Sequence, residues 1–395
     1  MTTTPCLAKT TTFYQLLDQT PGLDGRDNRG KKHPIALVLT GLVLALCCGR
    51  DGKLSGLHRH IVNHFDALCA TTQSKHKTAI SRAQLPLLLA KINGVLFAEL
   101  LFDWFGLTLD AETKRWFALD GKDLRGSIEP GHTRGEACVS ALAHDTQEVI
   151  NQAYYTGSKE SERPIVRQLL TDAGLYEQKL TASADRLHAL YLIPLTVNAI
   201  HLAKGVSVVG LKPNQEHLYR YCLCTGLVDK PIYERADTPR RGHGRLEERT
   251  YSCFGLNPLA LALRWKDSGM ATCIRVNRIR QKLDGTHRSE DISYFISNTQ
   301  PTTQTEADEL FDAIRQHSGP PVRAHRSNAL SARRYLIGGR TQTGNASVSR
   351  LMSSLRTLTI NLLKRVKSKN MAAQIDNFAD KFHTLIQFMT QQLVL

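Results

Sequence analysis

Two aspartates each follow a short run of residues that is typical of a β-strand. Asp120 comes after WFAL, and Asp185 comes after LTASA. Two carboxylates that are brought together repel each other unless a cation lies between them, and Mg²⁺ prefers oxygen ligands, namely carboxylates, phosphates and water. A pair of such ions can activate the attacking oxygen and stabilise the leaving oxygen in phosphoryl transfer. The two aspartates are therefore candidates for metal-assisted chemistry on a phosphate.

The same residues also have a structural interpretation. After Asp120 the chain turns through Gly121 and Lys122 towards Arg125, so the carboxylate could form a salt bridge within a turn. Spacing alone is weakly specific for a metal site and favours the salt-bridged turn. The motif by itself leaves both interpretations open.

The elements that would position the aspartates alternate between strand and helix from residue 113 onward. Strands are predicted at 116–121, 137–145, 148–157, 180–185 and 206–211, and helices at 162–174 and 189–205. The first, fourth and fifth of these strands, with helices between them, predict a parallel portion of an α/β sheet. Side chains at the carboxyl ends of such strands face one crevice, so we expect Asp120 and Asp185 to meet there.

The flanking regions have different patterns. Residues 1–112 are predicted to be mostly helical, with helices at 12–18, 35–49, 53–68, 78–92 and 95–105. The predicted helix at 78–92 is preceded by Lys75 and Lys77 and carries Arg82. It could dock on DNA as part of a helix-turn-helix, or its basic start could simply be exposed to solvent. Residues 216–300 are β-rich and basic, as an insertion would be, and the chain from 303 is predicted to be helical.

Composition narrows the partners and the compartment. Lys and Arg number 51 against 36 Asp and Glu, which gives a net charge of +15 and favours polyanions, with nucleic acid first. The most apolar run, at 35–49, is shorter than the roughly 20 residues of a membrane span, so we expect a buried helix and no membrane partner. Nine cysteines without C-x-x-C pairs favour reduced thiols and a bacterial-type cytoplasmic protein.

A family resemblance gives the two aspartates more weight. The segment FALDGKDLRGS (117–127) resembles the first-aspartate motif of the bacterial ISAs-type, or H-repeat-associated, insertion-sequence transposases. Further segments resemble this family in the same order: LTASADRLH (180–188), VGLKPNQEHL (209–218), HGRLEERTY (243–251), YFISN (294–298) and TGNASVSRLMSSLRTLTINLLKR (343–365). The N-terminal DNRGKKHPIALVLTGLVLALCCG (27–49) also fits, so the resemblance covers nearly the whole chain.

The resemblance implies an α/β fold with an RNase H-like catalytic core. This core would occupy 113–395, with a β-rich insertion at about 216–300 and a helical part at 303–395, after a helical and possibly DNA-binding domain at 1–112. It also implies a DDE triad that binds two Mg²⁺ (or Mn²⁺) ions, in which Asp120 and Asp185 are catalytic metal ligands. The implied partners are double-stranded DNA, as element terminal inverted repeats and as target, and a second copy of the chain. The implied location is the cytoplasm, in association with the nucleoid.

Several polar residues within the matching motifs are candidates for contacts with DNA phosphates and strands. They are Lys122, Arg125, Lys212, Asn214, Gln215, His243 and Arg245. Salt bridges within a basic surface are the structural alternative for the same residues. Glu247 is expected to orient Arg245 or Arg249 and not to bind metal.

The third acid of the triad is missing from its expected place. AIRQH (313–317) begins the family's motif, but the next 25 residues, 318–342, contain no Asp or Glu. The preceding helix carries Glu306, Asp308, Glu309 and Asp312, of which Asp312 could substitute. We expect a transposase that cuts and joins DNA poorly, and whether it is an active enzyme is left open. The alternatives are a non-catalytic DNA-binding derivative and another RNase H-like nuclease.

The resemblance to the family stops abruptly after residue 317, and our hypothesis for this interruption is a compensated frameshift. The codons of Arg333 to Leu336, read one base later, permit Asp-Val-Thr-Leu, and those of Gly338 to Arg340 permit Glu-Asp-Ala. Resemblance to the family resumes at Thr343.

Overall fold

The computed structural model describes residues 11–50, 53–105, 116–124, 128, 136–144, 148–156, 181–184, 193–202, 204–242, 244–261, 265, 267–318, 345–366 and 370–395. Segments outside these ranges include the predicted helix at 162–174 and nearly all of the acid-free segment 318–342.

The N-terminal region is helical, as predicted. Its helices are α1 (Phe13–Gln19), α2 (Ile35–Cys47), α3 (Leu54–Asn63), α4 (Phe65–Thr72), α5 (Gln84–Leu89) and α6 (Gly94–Phe105). Every residue of α2 is buried, which confirms the buried helix expected from its apolar run. Two predicted helices differ from the structure: the one at 53–68 breaks at His64 into α3 and α4, and the one at 78–92 shrinks to α5.

Among the described residues, no helix is both long enough and apolar enough to cross a membrane.

The strands that the structure describes form one sheet of nine. They are β1 (Trp116–Asp123), β2 (Glu136–Ala143), β3 (Val149–Thr156), β4 (Thr181–Ala184), β5 (Val206–Leu211), β6 (Tyr233–Gly242), β7 (Arg245–Gly255), β8 (Thr272–Lys282) and β9 (Arg288–Ser297). Their order is β3-β2-β1-β4-β5-β9-β8-β7-β6. β1, β4 and β5 are parallel, which confirms that prediction, whereas the remaining pairs are antiparallel.

The predicted β-rich region extends the same sheet. After helix α7 (Ile193–Leu202) and β5, helix α8 (Glu216–Val228) leads into the meander β6 to β9. β9 returns beside β5 and pairs with it from Val208–Ser297 to Leu211–Tyr294. Helix α9 (Gln304–Ser318) then packs against β4, β5 and β6.

The helices of the two chain ends share one hydrophobic core. α10 (Ala346–Arg365), α11 (Met371–Asp380) and α12 (Phe382–Gln391) close the chain. Leu39 of α2, Leu358 of α10 and Leu385 of α12 are fully buried in the same cluster. The division of the chain at residue 112 stays a prediction.

Polar contacts attach α10 to the β2–β3 edge of the sheet. The Asn361 side chain accepts a hydrogen bond from the Val149 backbone N–H (3.1 Å) and donates one to the Val149 carbonyl (2.8 Å). Further contacts along the same helix are ion pairs Arg350–Glu136 and Arg365–Glu148 and a hydrogen bond between Ser354 and Tyr154. Asn361 thus satisfies the backbone of β3 where a further strand would otherwise pair.

Candidate functional site

The register of β1 and β4 brings the two candidate ligands towards one edge of the sheet. The described parallel pairs run from Trp116–Thr181 to Leu119–Ala184. The residue after Leu119 is Asp120, and the residue after Ala184 is Asp185, which lies outside the described residues. Adjacent strands lie about 4.8 Å apart. Each aspartate therefore follows, in the chain, the last described pair of the same two-strand ladder.

One expectation about Asp120 was wrong. It does not end its strand, because β1 continues to Asp123. The physical reason is β2, which pairs with β1 from Phe117 to Asp123 and supplies hydrogen-bond partners along that whole length. Asp120 is therefore held in extended backbone by β2, opposite Ser140.

The DNA-contact candidates lie in three places. Lys122 is on β1, two residues beyond Asp120, whereas Arg125 and His243 lie outside the described residues. A second group follows β5, where Asn214 is exposed and Gln215 is only 1% exposed. The Gln215 carbonyl accepts a hydrogen bond from Tyr219 N (2.8 Å) at the start of α8, so burial favours a structural role for this residue. Lys212 is half-buried at the end of the same strand.

Arg245 lies at the tip of the β6–β7 hairpin. It starts β7 and pairs with Gly242 on one side and Lys282 on the other. The adjacent β8–β9 turn is attached there, because Leu283 N donates to the Gly244 carbonyl (3.1 Å). Gly244 has a φ of 72°, a left-handed conformation that glycine adopts without strain. The tips of two hairpins therefore form one surface.

This surface, which we call the basic tip, is strongly cationic. It consists of Arg240, Arg241, Arg245, Lys282 and Arg288, of which all except the half-buried Arg245 are exposed. Asp284 is an acid on the connecting turn, and its carboxylate accepts hydrogen bonds from Thr286 N (3.0 Å) and Thr286 Oγ1 (2.7 Å). The basic tip can bind a polyanion through charge alone.

Glu247 orients Arg249, as predicted. Its carboxylate accepts from Arg249 Nε at 2.9 Å and Nη2 at 2.7 Å, and both side chains are nearly buried. Two further guanidinium groups approach the same carboxylate, those of Arg280 (3.6 Å) and Arg315 (3.8 Å). Glu247 is thus a structural acid surrounded by cations, and it ties β7 to β8 and to α9.

Asp312, the acid that could substitute for the missing one, is also engaged in an ion pair. Its carboxylate lies 2.7 Å from Arg235 Nη2, and Arg235 also approaches Asp308 and Asp237, each at 3.5 Å. Glu306 accepts hydrogen bonds from Thr302 at the start of α9. Within the described ranges, no group of three His, Cys, Asp or Glu side chains could hold a metal ion. Asp308 and Asp312 thus link α9 to Arg235 of β6.

Sequence reasoning missed the role of Arg235. The Arg235 guanidinium lies over the rings of Tyr251 (5.3 Å) and Phe311 (5.5 Å) while it pairs with acids of β6 and α9. Its carboxylate neighbours raise its pKa, despite the opposing effect of burial. In the sequence, only the alternating charges at 234, 235 and 237 indicated an ion pair here. The partners of Arg235 on α9 are more than 70 residues away in the chain.

Known proteins that are similar to this chain include two whose names describe transposases. A protein of Escherichia coli O157:H7 named "Putative transposase YncI" is 22% identical over 283 residues, which cover 70% of this chain and 69% of that protein. The cryo-EM structure of a piggyBac transposase synaptic complex with hairpin DNA matches 97% of this chain and 81% of that chain, with a TM-score of 0.42 and 10% identity. That structural likeness is too loose to assign a fold. No known protein-family model matches the chain.

Proposed function

We propose that this protein is an insertion-sequence transposase that binds DNA ends and whose cutting and joining activity is impaired. The observation that carries the proposal is the β1–β4 register, in which Asp120 and Asp185 both follow the Leu119–Ala184 pair. The similarity to "Putative transposase YncI" over 70% of the chain supports the same class. The strands β3-β2-β1-β4-β5 would then form the RNase H-like core.

Asp120 and Asp185 would hold the metal in this proposal. Two carboxylates from neighbouring parallel strands supply the hard oxygen donors that Mg²⁺ or Mn²⁺ prefers. A bound divalent ion would supply charge neutralisation at a DNA phosphate. The donor set is incomplete, because a third acid is missing from its place in the sequence and Glu247 and Asp312 are engaged by arginines. Impairment of cutting and joining follows from this incomplete set.

The basic tip would contact the DNA backbone. Its five cations lie on the tips of two linked hairpins, so they can follow a phosphate strand without contacts to the bases. Such contacts fix the position of a protein on a duplex but carry no sequence information. Recognition of a particular DNA end would therefore need further contacts from elsewhere on the chain.

Cleavage and strand-transfer assays test the proposal. The substrate is a duplex that carries the terminal inverted repeat found beside the gene, with a scrambled duplex as control, in Mg²⁺ and in Mn²⁺. We expect preferential binding of the terminal repeat with cleavage near background. Robust turnover would overturn the impairment, and equal binding of both duplexes would overturn recognition of element ends.

A non-catalytic DNA-binding derivative is the second candidate, and the missing acid favours it. The Asp120→Asn variant separates the two candidates. If residual cleavage in Mn²⁺ disappears in this variant, the site retains some activity, whereas no cleavage in either protein indicates a binding protein. Cleavage of branched or hybrid substrates, without preference for terminal repeats, would instead identify another RNase H-like nuclease.

A further inference from the structure

A row of polar residues crosses the three strands at one end of the sheet. Asp120 of β1 is the register partner of Ser140 on β2, and Ser140 is the register partner of Gln152 on β3. Residues directly opposite each other in antiparallel strands project from the same face, with their Cβ atoms about 4.5–5.5 Å apart. The register therefore places Ser140 between the candidate metal ligand and Gln152.

Hydrogen bonds hold the far end of this row in place. Gln152 Nε2 donates to Ser140 Oγ (2.9 Å), and Gln152 Oε1 accepts from the Tyr154 hydroxyl (3.3 Å). A further contact of 2.7 Å joins the Tyr154 hydroxyl to Ser354 Oγ of α10. Ser354 is next to Leu355, which is fully buried in the core that the two chain ends share. The row is therefore anchored to a packed helix.

Counting donors gives each of these hydrogen bonds a direction. The Tyr154 hydroxyl has one proton and uses it on Gln152, so Ser354 is the donor in its contact with Tyr154. Burial raises the pKa of the Tyr154 hydroxyl, which keeps that proton in place. Because Tyr154 engages the oxygen of the Gln152 amide, only the amide NH₂ group is left for Ser140.

The Ser140 hydroxyl ends this chain of donors with a proton to give. Its oxygen accepts from Gln152, so its own O–H is left for another acceptor. Ser140 is half-buried, and its register partner on the side away from Gln152 is Asp120. An ionised carboxylate is a pure acceptor, and hydrogen bonds to it are stronger than those between neutral groups.

We propose that Ser140 is a positioning residue for the metal site, and that its hydroxyl donates a hydrogen bond to the Asp120 carboxylate. One carboxylate oxygen is then held by Ser140, and the other is left for a divalent ion. Carboxylates that ligate metals are commonly oriented by outer hydrogen bonds of this kind. The role in metal binding rests on the proposed function, whereas the contact itself rests on the register and on the chain of donors.

Calorimetric titration of the full chain with Mn²⁺ tests the positioning role. Ser140→Ala removes the hydroxyl and should weaken Mn²⁺ binding about tenfold, as the loss of an outer hydrogen-bond partner typically does. Ser140→Thr keeps the hydroxyl and suits a strand, so it should bind like the wild type. Ser289→Ala, at another half-buried serine of the same sheet, is the matched control and should leave binding unchanged. Equal binding by the wild type and Ser140→Ala would overturn the positioning role.

A variant of Gln152 tests the order of the chain. Gln152→Leu removes the donor to Ser140 but leaves the Ser140 hydroxyl in place. We expect it to weaken Mn²⁺ binding less than Ser140→Ala does, because the hydroxyl is still present but is no longer held. A larger loss in Gln152→Leu than in Ser140→Ala would contradict this order.

Unfolding in urea without metal measures the contact itself. Ser140→Ala, Asp120→Ala and the double variant form a double-mutant cycle that depends on neither metal nor DNA. We expect their effects on the free energy of unfolding to be non-additive, whereas Ser289→Ala combined with Asp120→Ala should be additive. Additive effects of Ser140→Ala and Asp120→Ala would overturn the contact.

The two experiments together separate this inference from the proposed function. If Asp120→Asn abolishes Mn²⁺ binding but Ser140→Ala leaves it unchanged, the metal site stands and the role of Ser140 is overturned. If the wild type binds no Mn²⁺ and the cycle is still non-additive, the metal role of both residues is overturned and the contact between them stands.

Discussion

Leu119 and Ala184 are the last described residues that β1 and β4 pair in parallel, and an aspartate follows each of them in the chain. β1 continues past this point, paired with β2 as far as Asp123. The two candidate ligands therefore follow the same pair of residues on two neighbouring parallel strands. Two carboxylates from adjacent strands are the donors that the proposed metal site requires.

The first prediction concerns metal-dependent stability. If Asp120 and Asp185 bind Mn²⁺, the ion should raise the melting temperature of the wild type, and Asp120→Asn should abolish that rise. A ligand at 100 times its dissociation constant stabilises the folded state by about 2.7 kcal/mol. Differential scanning calorimetry with and without Mn²⁺ measures the effect, and a NaCl series of matched ionic strength is the control. An equal shift in both proteins would place the metal elsewhere.

Removal of the charge of Glu247 should destabilise the meander. Glu247→Gln leaves the nearly buried Arg249 guanidinium without its carboxylate, and an unpaired buried charge costs about 3 kcal/mol. Glu248→Gln, on the same strand but exposed, should change the free energy of unfolding by less than about 0.5 kcal/mol. Urea unfolding of both variants provides the comparison, and similar values would show that the ion pair contributes little.

Asn361 should be needed for the attachment of α10 to β3. Asn361→Leu keeps the approximate volume but leaves the Val149 N–H and carbonyl without these two partners, which we expect to cost about 1–3 kcal/mol. Hydrogen exchange at Val149 reports the loss directly, since its amide should exchange faster. The exposed Asn214→Leu serves as the control. Unchanged protection of Val149 would refute this role.

Alkaline pH should destabilise the protein through its buried thiols. Burial raises the pKa of Cys253 to about 12, so the thiol contributes stability that is fully present below about pH 9 and is lost as the pH rises from there to 12. Over that window one such thiol changes the unfolding free energy by about 1.4 kcal/mol per pH unit. Cys253→Ala should flatten the decline by this amount relative to the wild type. If the free energy of unfolding declines equally with pH in the two proteins, the Cys253 thiol does not contribute to the decline.

The basic tip should contribute to DNA binding in a salt-dependent way. Each lost phosphate contact reduces the slope of log K against log salt concentration by about 0.9. Replacement of Arg240, Arg241 and Arg245 by Ala should therefore lower the slope by up to about 3 and weaken binding to all sequences alike. Fluorescence anisotropy between 50 and 200 mM salt measures this, and Arg220→Ala, a cation paired with Glu216, is the control. An unchanged slope would exclude the tip from the interface.

Local pattern predicted the strands and most helices, because buried apolar runs and helical periodicity are short-range signals. The exact end of β1 depended on a neighbour, because β2 extends β1 past Asp120. Helix α5 is shorter than the predicted 78–92, and nothing in the local pattern gave its ends. The structural role of Glu247 was predicted from a motif. It was predictable because its partner Arg249 is only two residues away on the same strand. The partners of Arg235 on α9 depend on contacts between distant segments, which no local pattern contains.

The hydrophobic core that the two chain ends share limits which truncated or frameshifted products of this gene can fold. Leu358 of α10 and Leu385 of α12 are buried in the same hydrophobic cluster as α2, so a product ending near residue 318 would expose part of that cluster and tend to aggregate. If the acid-free segment did arise from a shifted reading frame, only a second, restoring change before α10 would leave a polypeptide that survives proteolysis. Helix α10 is therefore a part of the chain that the helical core requires, whatever the reading frame of the segment before it.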